Sequence, residues 1–372
     1  MKIALIVPGG VHRSGEYRVV PAILALIKRL ARRHRVEVFA LAQGRMREDW
    51  QLLGAQVHNV GMPFSQPRAL RAIIKEHRIA PFDILQAIWS GGCGLIAVGA
   101  GQMLGIPAFV HVAGGELVAI DDIAYGGART WYRRARERLV LRTATAVTSA
   151  SAPVLDELTQ LGIAGRRLAF GVDLETWPRR EPVRRIPTET SRLIHVASLN
   201  PVKDQTMLLN ALAILARAQI AFHVDIVGED TLGGRMQRLA EQLGIAPRVT
   251  FHGFLPQRQL RPLMERAHVN LISSRHETGP LVLLEAAVAG VPTVGTHVGH
   301  IAEWAPQAAL SVPVSEASRM APAIGRLLND EDLRLRIAAS AQRRAIVEDA
   351  DHTAAGFERL YTELSIRSVR SA

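Results

Sequence analysis

Two doubly wound α/β domains in tandem are predicted by three features of the 372-residue sequence. Short β-branched runs alternate with helical patterns from the first residue onward, the arrangement of βαβ units around a parallel sheet. The stretch Pro178 to Pro187 (PRREPVRRIP) interrupts that alternation without periodicity of its own and reads as an interdomain linker. The alternation then restarts, and the length suits two or three domains at roughly 100 to 200 residues each.

The first strand is Ile3 to Val7, cut short by Pro8, Gly9 and Gly10 and preceded by no basic region or cleavage pattern. Val20, Ile23, Leu24, Ile27 and Leu30 then recur with helical spacing and form one apolar face. Strands follow at Arg35–Leu41, Ile84–Ile88, Ala108–Val112 and Ala144–Ser149. The charge-free stretch from Ile84 to Gly115 is long enough to suggest a membrane span. Gln86, Gln102, the glycines between Gly91 and Gly101, and the Gly105-Ile106-Pro107 break divide it instead into a strand, a tightly packed helix and a second strand. Beyond the linker, five strands are expected at Leu193–Ala197, His223–Val227, Val249–His252, Asn270–Ser273 and Thr293–Thr296. A last helix, Thr353 to Ile366, places Phe357, Leu360, Tyr361 and Leu364 on one face. Ligands of such sheets bind beyond the carboxyl ends of the strands, so two facing sheets would enclose a cleft.

Hydrophobic residues are 48% and charged residues 21% of the chain, which excludes disorder and points to a globular protein. The single cysteine, Cys93, excludes an internal disulfide and a metal cluster and fits a reducing, cytoplasmic compartment. Net charge is +11, concentrated in the first half: residues 1–150 hold 20 Lys/Arg against 10 Asp/Glu, and residues 191–372 hold 19 against 18. Aromatics are 5% and no nucleic-acid motif accompanies the charge, so nucleic acid is not an expected partner. The segment Arg129–Arg142 carries Arg129, Arg133, Arg134, Arg136, Arg138 and Arg142 against Glu137, with Trp131 and Tyr132 among them. It reads either as a solvated helix or as a peripheral contact with the anionic inner face of a membrane.

The segment richest in chemistry is Ser273–Gly299 (SSRHETGPLVLLEAAVAGVPTVGTHVG). A strand ends at Ser274, a polar loop carries Arg275, His276 and Glu277, and Gly279-Pro280 opens an apolar helix with Pro280 expected at the first helical position. The N–H groups of Gly279, Leu281 and Val282 then point out of a helix N-terminus, which suits an anion such as a diphosphate. Glu285 follows eight residues after Glu277 and projects from the second turn. Carboxylates at such an entrance accept hydrogen bonds from hydroxyl-rich ligands, although acidic residues near a helix start are also common in ordinary helices.

Glu277 and Glu285 as E-x7-E, followed by LLEAAVAGVPTVGT, resemble the retaining glycosyltransferases of family 4, which have the GT-B fold. LNPVKD around Lys203, VGED around Gly228, VTFHGF at Val249–Phe254, FGVD at Phe170–Asp173 and PGG with Gly15 near the N-terminus fall in that family's order and cover nearly the whole chain. The resemblance implies a Rossmann-like acceptor domain at 1–177, a linker at 178–190, a Rossmann-like donor domain at 191–350, and a helix at 351–372 that returns to the first domain.

It further implies a UDP- or GDP-sugar donor as co-substrate, a hydroxyl acceptor, and neither metal nor permanent cofactor. Glu277 would contact the donor sugar, and the N–H groups from Thr278 through Gly279 to Leu281, past Pro280, would hold its hydroxyls and diphosphate. Glu285 would accept from the ribose, Lys203 would pair with the diphosphate, and Gly253 and Phe254 would face the base. Gly10, Gly15, Gly114 and Gly115 would line phosphate or acceptor loops. His111, before the loop with Gly114 and Gly115, would lie beside the reacting sugar. The family's usual arginine five residues before the lysine is Ser198 in this chain, so half the phosphate clamp is missing unless Arg275 or Arg235 replaces it. That departure motivates an alternative, a noncatalytic nucleotide-sugar-binding subunit of another transferase. A nucleotide-sugar epimerase on the same fold is a weaker reading, since those enzymes carry other motifs.

Overall fold

A computed structural model describes residues 1–186 and 189–371, with side chains through Ile366. Pro187 and Thr188 of the expected linker and Ala372 of the expected final helix lie outside the described residues. The chain divides into two compact units, Met1–Gly171 with the C-terminal helix, and Val172–Asp349.

The first unit is built on eight strands: β1 (Lys2–Val7), β2 (Arg35–Ala40), β3 (Glu48–Leu52), β4 (Ala55–Asn59), β5 (Ile84–Ile88), β6 (Ala108–Val112), β7 (Ala146–Ser149) and β8 (Gly165–Arg167). Their order is β3-β4-β2-β1-β5-β6-β7-β8, parallel throughout except where β3 pairs antiparallel with β4. Strand β1 is buried along its whole length because both faces are covered. Ile3, Leu5 and Val7 face one apolar layer, with Ile23, Leu26 and Ile27 of helix α1 (Pro21–Leu30). Ala4 and Ile6 face the other, with residues of α2 (Ser65–Ile79), α3 (Leu95–Leu104), α4 (Trp131–Thr143) and α5 (Ala152–Gln160). The order reverses between β1 and β5, the switch point beside which such sheets hold ligands.

The C-terminal helix, Ala350–Ser371, packs on the α1 side of this sheet. Phe357, Leu360, Tyr361 and Leu364 are at most 3% exposed there. Gly356 permits close approach, since a Cβ at that position would lie 2.4 Å from Leu168 Cδ2. Thr353 Oγ1 donates to the Ala169 carbonyl and accepts from the Gly171 N–H, both at 2.8 Å, which satisfies the backbone where the sheet ends.

The second unit is a six-stranded parallel sheet of β9 (Ser191–Val196), β10 (Phe222–Val227), β11 (Val249–Gly253), β12 (Val269–Ile272), β13 (Thr293–Thr296) and β14 (Leu310–Val312), in the order β11-β10-β9-β12-β13-β14. Around it lie α6 (Gln205–Arg217), α7 (Arg235–Gln242), α8 (Gln257–Glu265), α9 (Leu281–Val288), α10 (Gly299–Trp304), α11 (Ala317–Asn329) and α12 (Glu331–Val347). Its switch point lies between β9 and β12.

Domain division differs from the sequence expectation in two respects. Val172 and Trp177, both at most 2% exposed, belong to the second unit's apolar layer with Leu284 and Trp304, so the first unit ends at Gly171 and not at Trp177. The described part of the expected linker is fixed to the second unit. The Arg180 N–H donates to the Val288 carbonyl, and the buried Arg334 guanidinium donates to the carbonyls of Val183 and His268 while pairing with Glu331. Four strands lie outside the sequence expectation, β3, β4, β8 and β14. The β3–β4 hairpin turns at Leu53 (φ 52) and Gly54 (φ 86), where a leucine stands in a left-handed position usually held by Asn, Asp or Gly. β8 and β14 are edge strands of three residues.

Candidate functional site

At the switch point of the second unit, the loops after β9 and β12 are joined. The Ser273 hydroxyl donates to the Lys203 carbonyl at 2.7 Å, and the Arg275 N–H donates to the Val202 carbonyl at 2.7 Å. These bonds bring Lys203 Nζ within 2.5 Å of Glu277 Oε1, which also accepts from Ser274 Oγ at 2.6 Å. Lys203 therefore holds the carboxylate of the motif's first glutamate, a pairing absent from the sequence expectation, in which Lys203 meets the phosphate alone.

The Lys203 loop rests on a buried relay. His195 Nδ1 lies 2.8 Å from the Leu271 carbonyl, so Nδ1 carries the proton and Nε2 is left to accept from Gln205 Nε2 at 3.1 Å. Gln205 also donates to the Ser198 carbonyl at 3.1 Å. Burial pushes the His195 pKa down to about 4, and the ring stays neutral. No motif marked His195 or Gln205, because the signal is a contact between a strand and the helix that follows it.

Pro280 caps α9 from an extended conformation (φ −66, ψ 116), one position before its expected place as the first helical residue. Leu281 and Val282 supply the first-turn N–H groups, which have no acceptor within the helix. Thr278 and Pro280 are buried and Gly279 is half-buried. Gly299 (φ +48) allows the loop after β13 to pass this segment: a Cβ there would lie 2.7 Å from the carbonyl oxygens of Glu277 and Thr278. Glu285 does not project outward as expected. It is 5% exposed, accepts from Gln257 Nε2 at 3.0 Å, and has its pKa pushed up to about 7 by burial.

Gly253 (φ +67) ends β11 with its carbonyl accepting from Gly228, and Phe254 beyond it is 48% exposed. Ser198 is exposed just past β9, Arg275 is half-buried in the β12 loop, and Arg235 is exposed at the first residue of α7.

In the first unit, His111 is the penultimate residue of β6. It is fully buried in β6, edge-on to Phe170 and Phe357 at ring distances of 4.7 and 5.7 Å, with Nδ1 2.9 Å from Thr148 Oγ1. Burial lowers its pKa to about 3, so it is a neutral core residue under the C-terminal helix. The alternation of β6 turns it to that face.

Glu116, to which no sequence motif assigns a role, accepts from the N–H groups of Ser90, Ala113 and Gly114 at 3.2, 3.2 and 2.7 Å. It thereby ties the loop after β5 to the loop after β6. Gly114 and Gly115 are packed tightly, with an added Cβ falling 2.8 Å from the Trp89 ring nitrogen and 2.5 Å from the Tyr125 ring. Gly10 (φ +80) is packed against Val20, whereas Gly15 (φ +67) lies in an open turn.

Residues 19–172 match the model of the glycosyl transferase 4-like domain, and residues 179–344 match that of glycosyl transferases group 1. Together these matches assign the chain to the GT4-like glycosyltransferases of GT-B fold. The chain is 29% identical over 225 residues to the glycogen synthase of Mycobacterium tuberculosis, covering 59% of this chain and 52% of that protein. It is 28% identical over 313 residues to the D-inositol 3-phosphate glycosyltransferase of Frankia alni, covering 77% and 75%. The match to the glycogen synthase thus spans about half of that relative's length. Among solved structures, sucrose-phosphate synthase from Thermosynechococcus elongatus superposes with a TM-score of 0.83 at 19% identity over 98% of both chains. HepE from Anabaena, in complex with UDP-glucose, superposes with a TM-score of 0.75 at 18% identity over 98% of this chain and 100% of that one. Among the described residues, no helix is long and apolar enough to cross a membrane.

Proposed function

We propose that the protein is a retaining, metal-independent glycosyltransferase that moves a sugar from a UDP- or GDP-sugar to a hydroxyl acceptor in the cytoplasm. The observation that carries this reading is the cluster at the second unit's switch point, where Lys203, Ser274 and Glu277 meet beside the N-terminus of α9. In the proposed step the acceptor oxygen bonds to the anomeric carbon as the bond from that carbon to the phosphate oxygen breaks. The leaving phosphate oxygen takes the acceptor's proton from the same face. Lys203 and the first-turn N–H groups of α9 stabilise the charge on the leaving diphosphate. Glu277 turns from Lys203 to the sugar hydroxyls, and Glu285 accepts from the ribose. The HepE complexes with UDP and UDP-glucose, and relatives named as glycosyltransferases, support a nucleotide-sugar donor. His111 has no place in this step, because it is buried in the core.

The test is release of nucleoside diphosphate from a panel of UDP- and GDP-sugars with and without EDTA, followed by NMR of the product anomer. Turnover with retention and no loss in EDTA supports the reading. Binding without turnover against any acceptor favours the noncatalytic subunit that the missing clamp arginine at Ser198 suggests. Lys203→Ala is expected to weaken diphosphate binding by about ten- to a hundredfold at low salt, the range of a charge-assisted hydrogen bond. Unchanged affinity would mean that the donor site lies elsewhere.

A peripheral contact with anionic membrane is proposed for α4, where Trp131 and Tyr132 are 75% and 53% exposed among Arg133, Arg134 and Arg138. Co-sedimentation with phosphatidylglycerol vesicles that is lost with phosphatidylcholine or in high salt is expected. Equal binding to both lipids would refute it.

A further inference from the structure

We propose that Gln257 is a positioning residue of the donor site, which orients the Glu285 carboxylate toward the ribose hydroxyls and couples it to the segment facing the base. The inference rests on the reading of Glu285 as the ribose acceptor. Gln257 is the first residue of α8, three positions after Phe254, so the chain that leaves β11 past the proposed base contacts enters a helix at this side chain. Its amide nitrogen lies 3.0 Å from Glu285 Oε1. Glu285 is 5% exposed on the second turn of α9, where a carboxylate has few ways to satisfy its oxygens. A carboxyl group can rotate about its last torsion, and in an apolar site the single donor sets which oxygen faces inward and which is left for a ligand. Occupying Oε1 from α8 assigns the second oxygen, Oε2, to the incoming hydroxyl. Phe254 and Gln257 share one short segment, so displacement of that segment by a base would shift the donor that holds Glu285. Base and ribose recognition would then be linked across 28 residues of sequence.

The experiment is calorimetric titration of the full chain with UDP and GDP, and with the 2′-deoxy and 3′-deoxy forms of the diphosphate that binds. Wild type should bind at least one deoxy form more weakly than the parent. Gln257→Met, which keeps the volume and removes the donor, should lower affinity for the parent diphosphate by about tenfold while leaving that deoxy form unchanged. Gln257→Glu, which sets a second carboxylate against Glu285, should produce the same pattern. Equal loss for parent and deoxy ligands, or no loss for either, would overturn the proposal, because a purely structural residue would not distinguish the ribose hydroxyls. Glu285→Gln separates the two levels. Loss of hydroxyl discrimination in Glu285→Gln but not in the Gln257 variants would overturn the positioning role alone. Absence of discrimination in wild type, or failure of both diphosphates to bind, would overturn the reading of Glu285 and the proposal with it.

Discussion

Glu285 is nearly excluded from water, and its neutral donor, Gln257, does not offset the loss of hydration, so its pKa rises to about 7 from an ordinary value near 4.5. An acid whose folded pKa is raised holds its proton in the folded state at pH values where the unfolded chain has released it. Its favourable contribution is therefore complete below pH 4.5 and is lost as pH rises through about 7, by on the order of 3 kcal/mol. Glu285→Gln, neutral at every pH, should lack this slope. Urea melts of the two proteins are expected to diverge between pH 5 and pH 8, with the variant gaining relative stability as pH rises; a parallel course would refute the raised pKa. His111 and His195 show the same physics with the opposite charge, both held neutral by burial. A histidine at a strand end is ambiguous in sequence, and the neighbours that bury it decide its role. His111 meets Phe170 and Phe357, the second of them 246 positions away in the chain.

At the scale of elements, the anchoring of the segment after Trp177 depends on α12. Arg334, 2% exposed, donates to the carbonyls of Val183 and His268 and pairs with Glu331, while Gln342 donates to the Arg180 carbonyl at 2.6 Å. Removing one partner of a buried ion pair leaves its companions unsatisfied, at about 3 to 5 kcal/mol. Arg334→Ala is therefore expected to lower the denaturation midpoint of the second unit. It should also speed proteolysis near Arg184 and Arg185. A midpoint and cleavage rate equal to wild type would show that the segment is held by other means. In sequence this stretch looked like a linker because Pro and Arg interrupt every periodicity. Its contacts combine backbone groups of Arg180 and Val183 with the side chains of Arg180, Arg184 and Arg185, and pairings with residues more than 80 positions away leave no compositional trace. The β3–β4 hairpin was obscured in a related way, since Leu53 carries a left-handed turn without the usual Asn-Gly signature.

Over the whole molecule, the first unit depends on the last helix. Phe357, Leu360, Tyr361 and Leu364 share one apolar layer with Ile3, Leu5 and Phe109, and the Tyr361 hydroxyl donates to the side-chain Oε1 of the buried Gln86. Ending the chain at Asp349 would expose that face of the sheet, so the truncated protein is expected to aggregate or to lose the cooperative transition of the first unit. A truncated chain that stayed monodisperse with an unchanged melt would contradict this packing. The amino-acid sequence carries the alternation of strands and helices, the restart after the Pro/Arg stretch, and the apolar faces. It also carries the spacing of Lys203, Glu277 and Glu285, because hydrophobic periods and motif residues are local in the chain. Tertiary structure alone decided that Lys203 pairs with Glu277, that Gln257 holds Glu285, that Glu116 ties two loops, and that His111 is buried. Each of those outcomes is a contact between elements 26 or more positions apart. A periodicity states which face of a helix or strand must be covered, and only packing determines what covers it.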